Sequence, residues 1–130
     1  MTNDPYVLIV STRPDTATDS VVRHLTDRGI AHYRLNTEDY PFQHTMAYVP
    51  GTGTPRLNCN SADLPVPSSI WYRRLRTPAT PDSMDEGIAI FCRQETRAAL
   101  LGSIIGRCTR WMSHPSAIWQ AELKPHQLDI

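Results

Sequence analysis

The first 35 residues predict a strand, a helix and a second strand. Residues 6–10 are an unbroken apolar run rich in β-branched side chains, which is typical of a strand buried on both faces of a parallel sheet. A helix is predicted to begin near Thr16, with Asp19 as a variant of the capping box, and to stop at Gly29. One face of that helix carries Ala17, Val21, Val22 and Leu25. Residues 31–35 read as the second strand, so this unit predicts the opening of a doubly wound α/β sheet.

The middle of the chain has a different pattern. Residues 44–49 and 56–60 each read as β and are separated by a proline- and glycine-rich tip, which predicts a hairpin that could extend the sheet at one edge. Further elements are predicted by the later apolar patterns: a strand at 70–74, a long helix from about 83 to 107, a short strand at 111–112 and a short helix at 116–123. The final residues look like the start of an amphipathic segment without a terminator, so we expect the C-terminus to be a cut or a degraded remnant.

Composition narrows the class of protein. A chain of 130 residues with 40% hydrophobic content is one ordinary domain, and its apolar runs are far too short to span a bilayer. The N-terminus lacks the basic and apolar regions of a secretory signal, so a cytoplasmic location is the expectation. Thirteen basic residues balance thirteen acidic ones, which predicts no nucleic-acid or membrane partner. Lys124 is the single lysine.

Several kinds of site lack their usual sequence signature. No GxGxxG follows the first strand, and neither GxxxxGK[ST] nor GxSxG occurs, so dinucleotide binding, P-loop hydrolysis and a serine-hydrolase elbow lose their support. The cysteines Cys59, Cys92 and Cys108 are far apart, odd in number and without CxxC spacing. With the five histidines they form no recognisable zinc ligand set, and we expect three free thiols and no metal site.

The long helix contains a carboxylate at an unusual position. An apolar stripe is predicted at Met84, Ile88, Phe91, Cys92, Ala99, Gly102 and Ile105, and Glu95 falls inside it. A buried carboxylate needs a partner, and Arg73 or Arg74 at the end of the preceding strand could supply it. Because adjacent strand residues point to opposite faces, one arginine would meet the helix and the other would face the crevice where open α/β sheets bind ligands. The arginines could therefore form an internal ion pair with Glu95, contact a ligand in the crevice, or divide these two roles between them.

Three smaller features leave two interpretations each. Gly102 and Gly106 allow close approach of another backbone, which suits helix–sheet packing or a subunit contact. Glu38 and Asp39 could serve acid/base chemistry, although acids in a turn after a strand are commonly just solvated. His114 is a lone histidine, a type that is more often structural than catalytic.

The landmarks of the chain, in their order, resemble a known family. Residues 34–41, RLNTEDYP, are similar to its RLNTEDFP-like segment, and residues 70–74, IWYRR, to its VWYRRP-like strand, with Leu75 in place of the usual proline. Glu95 matches the acidic residue of its next helix. Residues 111–115, WMSHP, resemble a WxNxP-like segment but depart at Ser113 and His114. Its closing A..K..QL pattern is matched by Ala121, Lys124, Gln127 and Leu128, with Pro125 as a departure.

That family is the ATP-grasp ribosomal peptide maturases, also called graspetide synthetases or microviridin-type ligases. The resemblance implies a Rossmann-like pre-ATP-grasp domain over residues 1–116, with a mostly parallel central sheet, a β-hairpin insertion and flanking helices. Residues 117–130 would start a linker helix toward an ATP-grasp domain. In the full-length bacterial family, later domains bind ATP and magnesium, phosphorylate an Asp or Glu side chain of a precursor peptide, and close an ester or amide ring with loss of phosphate.

For this chain the resemblance implies a supporting role without catalytic residues or a cofactor of its own. It would frame one wall of the active-site cleft, with Tyr72, Arg73, Arg74 and Asn36 as the candidates for contact with the precursor peptide, and contribute to the interface of a homo-oligomer. Two other readings stay open. The chain could be a free-standing binding or regulatory domain that acts through a protein partner, or a small complete enzyme that uses Glu38 or Asp39. The coding sequence beyond Ile130 would separate the N-terminal domain of a ligase from the free-standing binding domain.

Overall fold

The fold is built on a parallel sheet whose first strand is buried, as its apolar run predicts. A computed structural model of the chain describes residues 4–51, 53, 55–107 and 110–123. Four of the described strands form this sheet: β1 (Val7–Ser11), β2 (His32–Asn36), β6 (Ser69–Tyr72) and β7 (Trp111–Met112). They lie in the order β2-β1-β6-β7, and every neighbouring pair is parallel. This arrangement confirms the predicted mixed α/β fold with a mostly parallel central sheet.

Among the described residues, three α-helices flank the sheet: α1 (Thr16–Asp27), α2 (Glu86–Ile105) and α3 (Pro115–Ala121). Helix α1 begins where Asp15 accepts a hydrogen bond from the backbone N–H of Thr18, as an N-cap does. It ends before Gly29, whose φ of +66° is the left-handed conformation that glycine adopts without strain. The expected domain boundary after residue 116 falls inside α3, and the expected linker helix lies outside the described residues from residue 124 onward.

The hairpin forms a sheet of its own. Strands β3 (His44–Ala47), β4 (Arg56–Cys59) and β5 (Ala62–Asp63) pair antiparallel in the order β3-β4-β5, and none of them joins the parallel sheet. The expected extension of the central sheet is therefore wrong. A tight turn at Asn60 and Ser61, both at positive φ, brings β5 back onto one edge of β4, and β3 pairs with the other edge. Buried residues of β4 join the same core as the parallel sheet.

The common core lies between the parallel sheet, β4 and α2. Its buried members are Leu8, Val10, Leu35, Tyr40, Leu57, Cys59, Ile70, Tyr72, Leu100, Leu101 and Ile104. Alternate residues of β1 point to opposite faces of the sheet. Leu8 and Val10 enter this core cluster, whereas Val7 and Ile9 face the side that α1 covers.

The apolar stripe predicted for α2 has the wrong phase. The helix buries Ala89, Leu100, Leu101, Ser103 and Ile104. From the predicted stripe, Ile88 is 56% exposed and Phe91 is 62% exposed. Apolar residues occupy five consecutive positions from 88 to 92, so the sequence contains more than one possible apolar face. Contact with the sheet and with β3 selects one of them. Gly102 is exposed, and a Cβ added there would meet nothing within 4 Å, so close helix–sheet packing does not explain that glycine.

Candidate functional site

A cleft opens where the strand order of the parallel sheet reverses. The chain passes from β1 through α1 to β2 on one side of β1, whereas β6 pairs with the other side, and open α/β sheets bind ligands outside the strand ends at this point. The cavity has a volume of about 360 Å³. It is lined by Thr12, Tyr72, Arg73, Arg74, Leu75, Arg76, Arg97, Ile118, Trp119 and Glu122.

The cleft is strongly cationic although the chain as a whole has no net charge. Its lining includes four arginines and one carboxylate, that of Glu122. Elsewhere in the described chain, Arg13, Arg34, Arg56 and Arg93 each form an ion pair with a carboxylate. Four arginines with one carboxylate line this cavity at the strand ends, and we name it the arginine cleft.

A buried carboxylate beneath the cleft forms ion pairs with two of its arginines. The side chain of Asp15 is 2% exposed, and its Oδ2 lies 3.3 Å from Nε of Arg73 and 3.8 Å from Nε of Arg74. The same oxygen accepts hydrogen bonds from Ser11 Oγ at 2.8 Å and from Thr18 Oγ1 at 2.9 Å. Burial alone would raise the pKa of Asp15, but these hydrogen bonds and the Arg73 charge outweigh it and lower the pKa to about 2. Asp15 is therefore ionised at neutral pH beneath the cleft.

Both arginines reach Asp15 because the chain leaves the sheet at Tyr72. The backbone N–H groups of Arg73 and Arg74 both donate to the carbonyl of Val10, at 2.9 and 3.2 Å. This bend ends the alternation of a strand, so the expectation that one arginine faces the helix and the other looks away is wrong. Tyr72 itself is only 5% exposed, and burial raises the pKa of its phenol, with the charges of Arg97 and Glu122 also acting on it.

The ion pair predicted for Glu95 is not formed. Glu95 is exposed, and no described residue forms an ion pair with it. The carboxylate that Arg73 and Arg74 meet is that of Asp15, on the loop that precedes α1. The phase predicted for α2 places Glu95 on a buried face, and the structure turns that face outward.

The remaining candidates are dispersed. Asn36 ends β2 and does not line the arginine cleft, and its Oδ1 is shielded from solvent without a hydrogen-bond partner among the described residues. Asp39 is buried and accepts two hydrogen bonds from the guanidinium of Arg13, at 2.5 and 2.6 Å. Glu38 Oε1 accepts from the backbone N–H of Arg13 at 2.7 Å. These two acids hold the loop after β1 against the segment after β2, so they are neither merely solvated nor free for acid/base chemistry.

His114 has a structural position. Its Nδ1 accepts from the backbone N–H of Ser116 at 3.2 Å at the start of α3, and its ring packs edge-on against Trp111 with centroids 4.7 Å apart. Cys59 and Cys92 are free thiols, while Cys108 lies outside the described residues. Across the part of the chain that the structure describes, no three His, Cys, Asp or Glu residues are grouped to hold a metal ion. No described helix is long and apolar enough to cross a membrane.

A larger cavity lies on the face of the sheet that α1 covers, and it offers few polar groups to a ligand. It measures about 490 Å³, and Arg110 is the single charged residue among its described lining residues. Its walls are apolar side chains of α1 and of the strands, chiefly Val21, Leu25, Trp71 and Met112. Polar groups that could orient a ligand are concentrated instead in the arginine cleft.

Sequence reasoning missed Asp15, Arg76, Arg97, Trp119 and Glu122 as parts of this site. Asp15 had a readable signal, since an aspartate directly before a helix start is a common N-cap. The other four come from three separate segments, and nothing in their local sequence indicates that they meet.

Comparison with known proteins supports both the fold and the resemblance. Residues 6–118 match the family model described as the MvdD pre-ATP grasp domain. The fold is similar to the macrocyclase MdnC bound with precursor peptide MdnA from Microcystis aeruginosa MRC, with a TM-score of 0.81 and 24% identity over 95% of this chain and 40% of that one. No curated protein matches the chain.

Two further solved structures have the same fold. One is a Chryseobacterium gregarium RiPP-associated ATP-grasp ligase in complex with ADP and a leader and core peptide, with a TM-score of 0.79, 22% identity, and coverage of 97% of this chain and 40% of that one. The other is the ATP-grasp ligase PsnB complexed with minimal precursor, Mg and ADP, with a TM-score of 0.75, 20% identity, and coverage of 99% and 43%. The chain therefore spans less than half the length of the solved proteins that it resembles.

Proposed function

This chain belongs to the MvdD pre-ATP-grasp domain family, and from that premise we propose that it is the N-terminal domain of an ATP-dependent ligase that crosslinks a ribosomally made precursor peptide. The observation that carries the proposal is the arginine cleft at the carboxyl ends of β1 and β6, in a domain whose solved relatives include ligases holding a precursor peptide. In this proposal Tyr72, Arg73 and Arg74 frame one wall of the substrate cleft, and Asn36 supports the neighbouring strand end.

The chemistry of ring closure is assigned to later domains. They would bind ATP and magnesium, as the ligase complexes with ADP and magnesium suggest, and would join a carboxylate side chain of the peptide to a hydroxyl or amine as an ester or amide. The isolated chain would be inactive. Its own residues would orient the peptide and shield the reacting groups from water. The proposal includes a bacterial cytoplasmic location and a homo-oligomeric ligase.

The test begins with the coding sequence after Ile130. An ATP-grasp domain that continues in frame is the expected result, and a natural stop codon would favour a free-standing binding domain. The full reading frame should then be co-expressed with the short reading frames beside it. Mass spectrometry should show a peptide that has lost about one water per ring, and co-expression of the 130-residue chain alone should leave the peptide unchanged. An unmodified peptide with the full reading frame would refute the proposed function.

A further inference from the structure

We propose that the arginine cleft binds the carboxylates of an acidic peptide segment, with Asp15 as the internal counterion that positions two of its arginines. This inference rests on the proposed function, because it names the part of the precursor peptide that this domain would hold. Its basis is the placement of Arg73, Arg74, Arg76 and Arg97 around one cavity.

The cleft carries unbalanced positive charge. Within the described chain, the guanidinium groups of the four cleft arginines form no hydrogen bond, and their carboxylate contacts are those of Arg73 and Arg74 with Asp15. Counting Glu122 in the wall and Asp15 beneath it, four positive charges face two negative ones. Like charges held around one cavity repel each other, so a bound anion would be favoured there.

Two of the cleft arginines are held in place before a ligand binds. Asp15 contacts the Nε atoms of Arg73 and Arg74, which leaves their terminal Nη groups available to a ligand. A guanidinium presents those donors as a planar fork that matches a carboxylate in a bidentate manner. The backbone N–H groups of both residues are fixed on Val10, so the forks start from a rigid strand end. Less side-chain entropy is then lost on binding.

The surroundings of the cleft favour a peptide over a free phosphate or a nucleotide. In α/β folds that bind phosphate, the anion usually sits at the N-terminus of the helix after the first strand. Here the carboxylate of Asp15 occupies that position and accepts from the backbone N–H of Thr18. The arginine cleft also has apolar walls from Leu75, Ile118 and Trp119, which suit the aliphatic parts of peptide side chains.

The experiment uses the 130-residue chain and three probes: a blocked hexaglutamate peptide, the matching hexaglutamine peptide and inorganic phosphate. Binding is followed by calorimetry and by the NMR signals of the arginine side chains. We expect saturable binding of hexaglutamate that weakens as salt is added, and binding of hexaglutamine that is weaker by about tenfold or more.

Two variants and one control locate the site. Arg74→Gln and Arg97→Gln remove exposed cleft arginines, so both should fold, and each should weaken hexaglutamate binding by about tenfold. Arg23→Gln makes the same charge change on the exposed surface of α1, outside the cleft, and should leave the affinity unchanged.

The outcomes separate this inference from the proposed function. Absence of hexaglutamate binding, equal loss in the Arg23 and Arg74 variants, or phosphate that competes at the same concentration as the peptide would each overturn the carboxylate assignment. Ring formation by the full reading frame does not depend on any of these results. If the ligase forms rings but the cleft does not bind hexaglutamate, the cleft assignment alone is refuted. If the cleft binds hexaglutamate but the ligase forms no ring, the proposed function alone is refuted.

Discussion

Replacing Asp15 with alanine removes a side chain that is both a helix cap and the buried partner of two hydroxyl groups. Loss of the cap on α1 costs about 0.5–2 kcal/mol. Ser11 and Thr18 are fully buried, and their hydroxyls lie 3.0 Å apart, so they can still bond to each other but one donor loses its acceptor. A buried polar group left without a partner costs about 1–3 kcal/mol. We therefore expect Asp15→Ala to lower the free energy of unfolding by about 2–4 kcal/mol.

Urea melts at pH 7 measure this effect, and Asp85→Ala is the matched control. Asp85 caps α2 in the same way, with backbone N–H groups of Gly87 and Ile88 as its donors, but it is exposed. Its replacement should cost the capping contribution alone, about 1 kcal/mol. Equal shifts for the two variants would refute the buried network around Asp15.

The charge of Asp15 is tested by pH. A pKa of about 2 in the folded state, against 3.8 normally, makes the ionised form more stable in the folded protein by on the order of 2 kcal/mol. Because the folded pKa is the lower one, this stabilisation is present above pH 3.8 and is lost as the pH falls toward 2. Asp15→Asn retains an acceptor for the cap but carries no charge. The difference in free energy of unfolding between the parent and Asp15→Asn should therefore become smaller as the pH is lowered. A difference that does not change with pH would contradict the lowered pKa.

Three other predictions follow from the same structure. Glu95→Ala should change the free energy of unfolding by less than about 0.5 kcal/mol in a urea melt, because Glu95 is exposed and no described residue pairs with it; a large loss would restore the buried ion pair. Calorimetric titration of the 130-residue chain with MgATP should show no binding, since Asp15 takes the phosphate position after β1, and micromolar affinity would contradict this. Thiol counting on denatured, unreduced protein should find Cys59, Cys92 and Cys108 free, and a count of one would indicate a disulfide.

The existence of most elements could be predicted from local sequence. The apolar run of β1, the amphipathic α1 and the positive-φ Gly29 determine a βαβ unit through short-range sterics and burial, and the structure has these elements where they were expected. The arginines after β6 could also be placed at a strand end, and so near the ligand-binding edge of the sheet, because parallel strands end together there.

The partners of those arginines were decided by tertiary structure. Helix α2 carries apolar residues on more than one side, so its sequence is compatible with several rotations about its axis, and packing on the sheet chose the rotation that exposes Glu95. The bend after Tyr72 then turned both Arg73 and Arg74 toward Asp15, more than fifty positions away in the chain. Periodicity fixes which residues share a face of one element. It carries no information on which elements meet, because that depends on packing summed over the whole core.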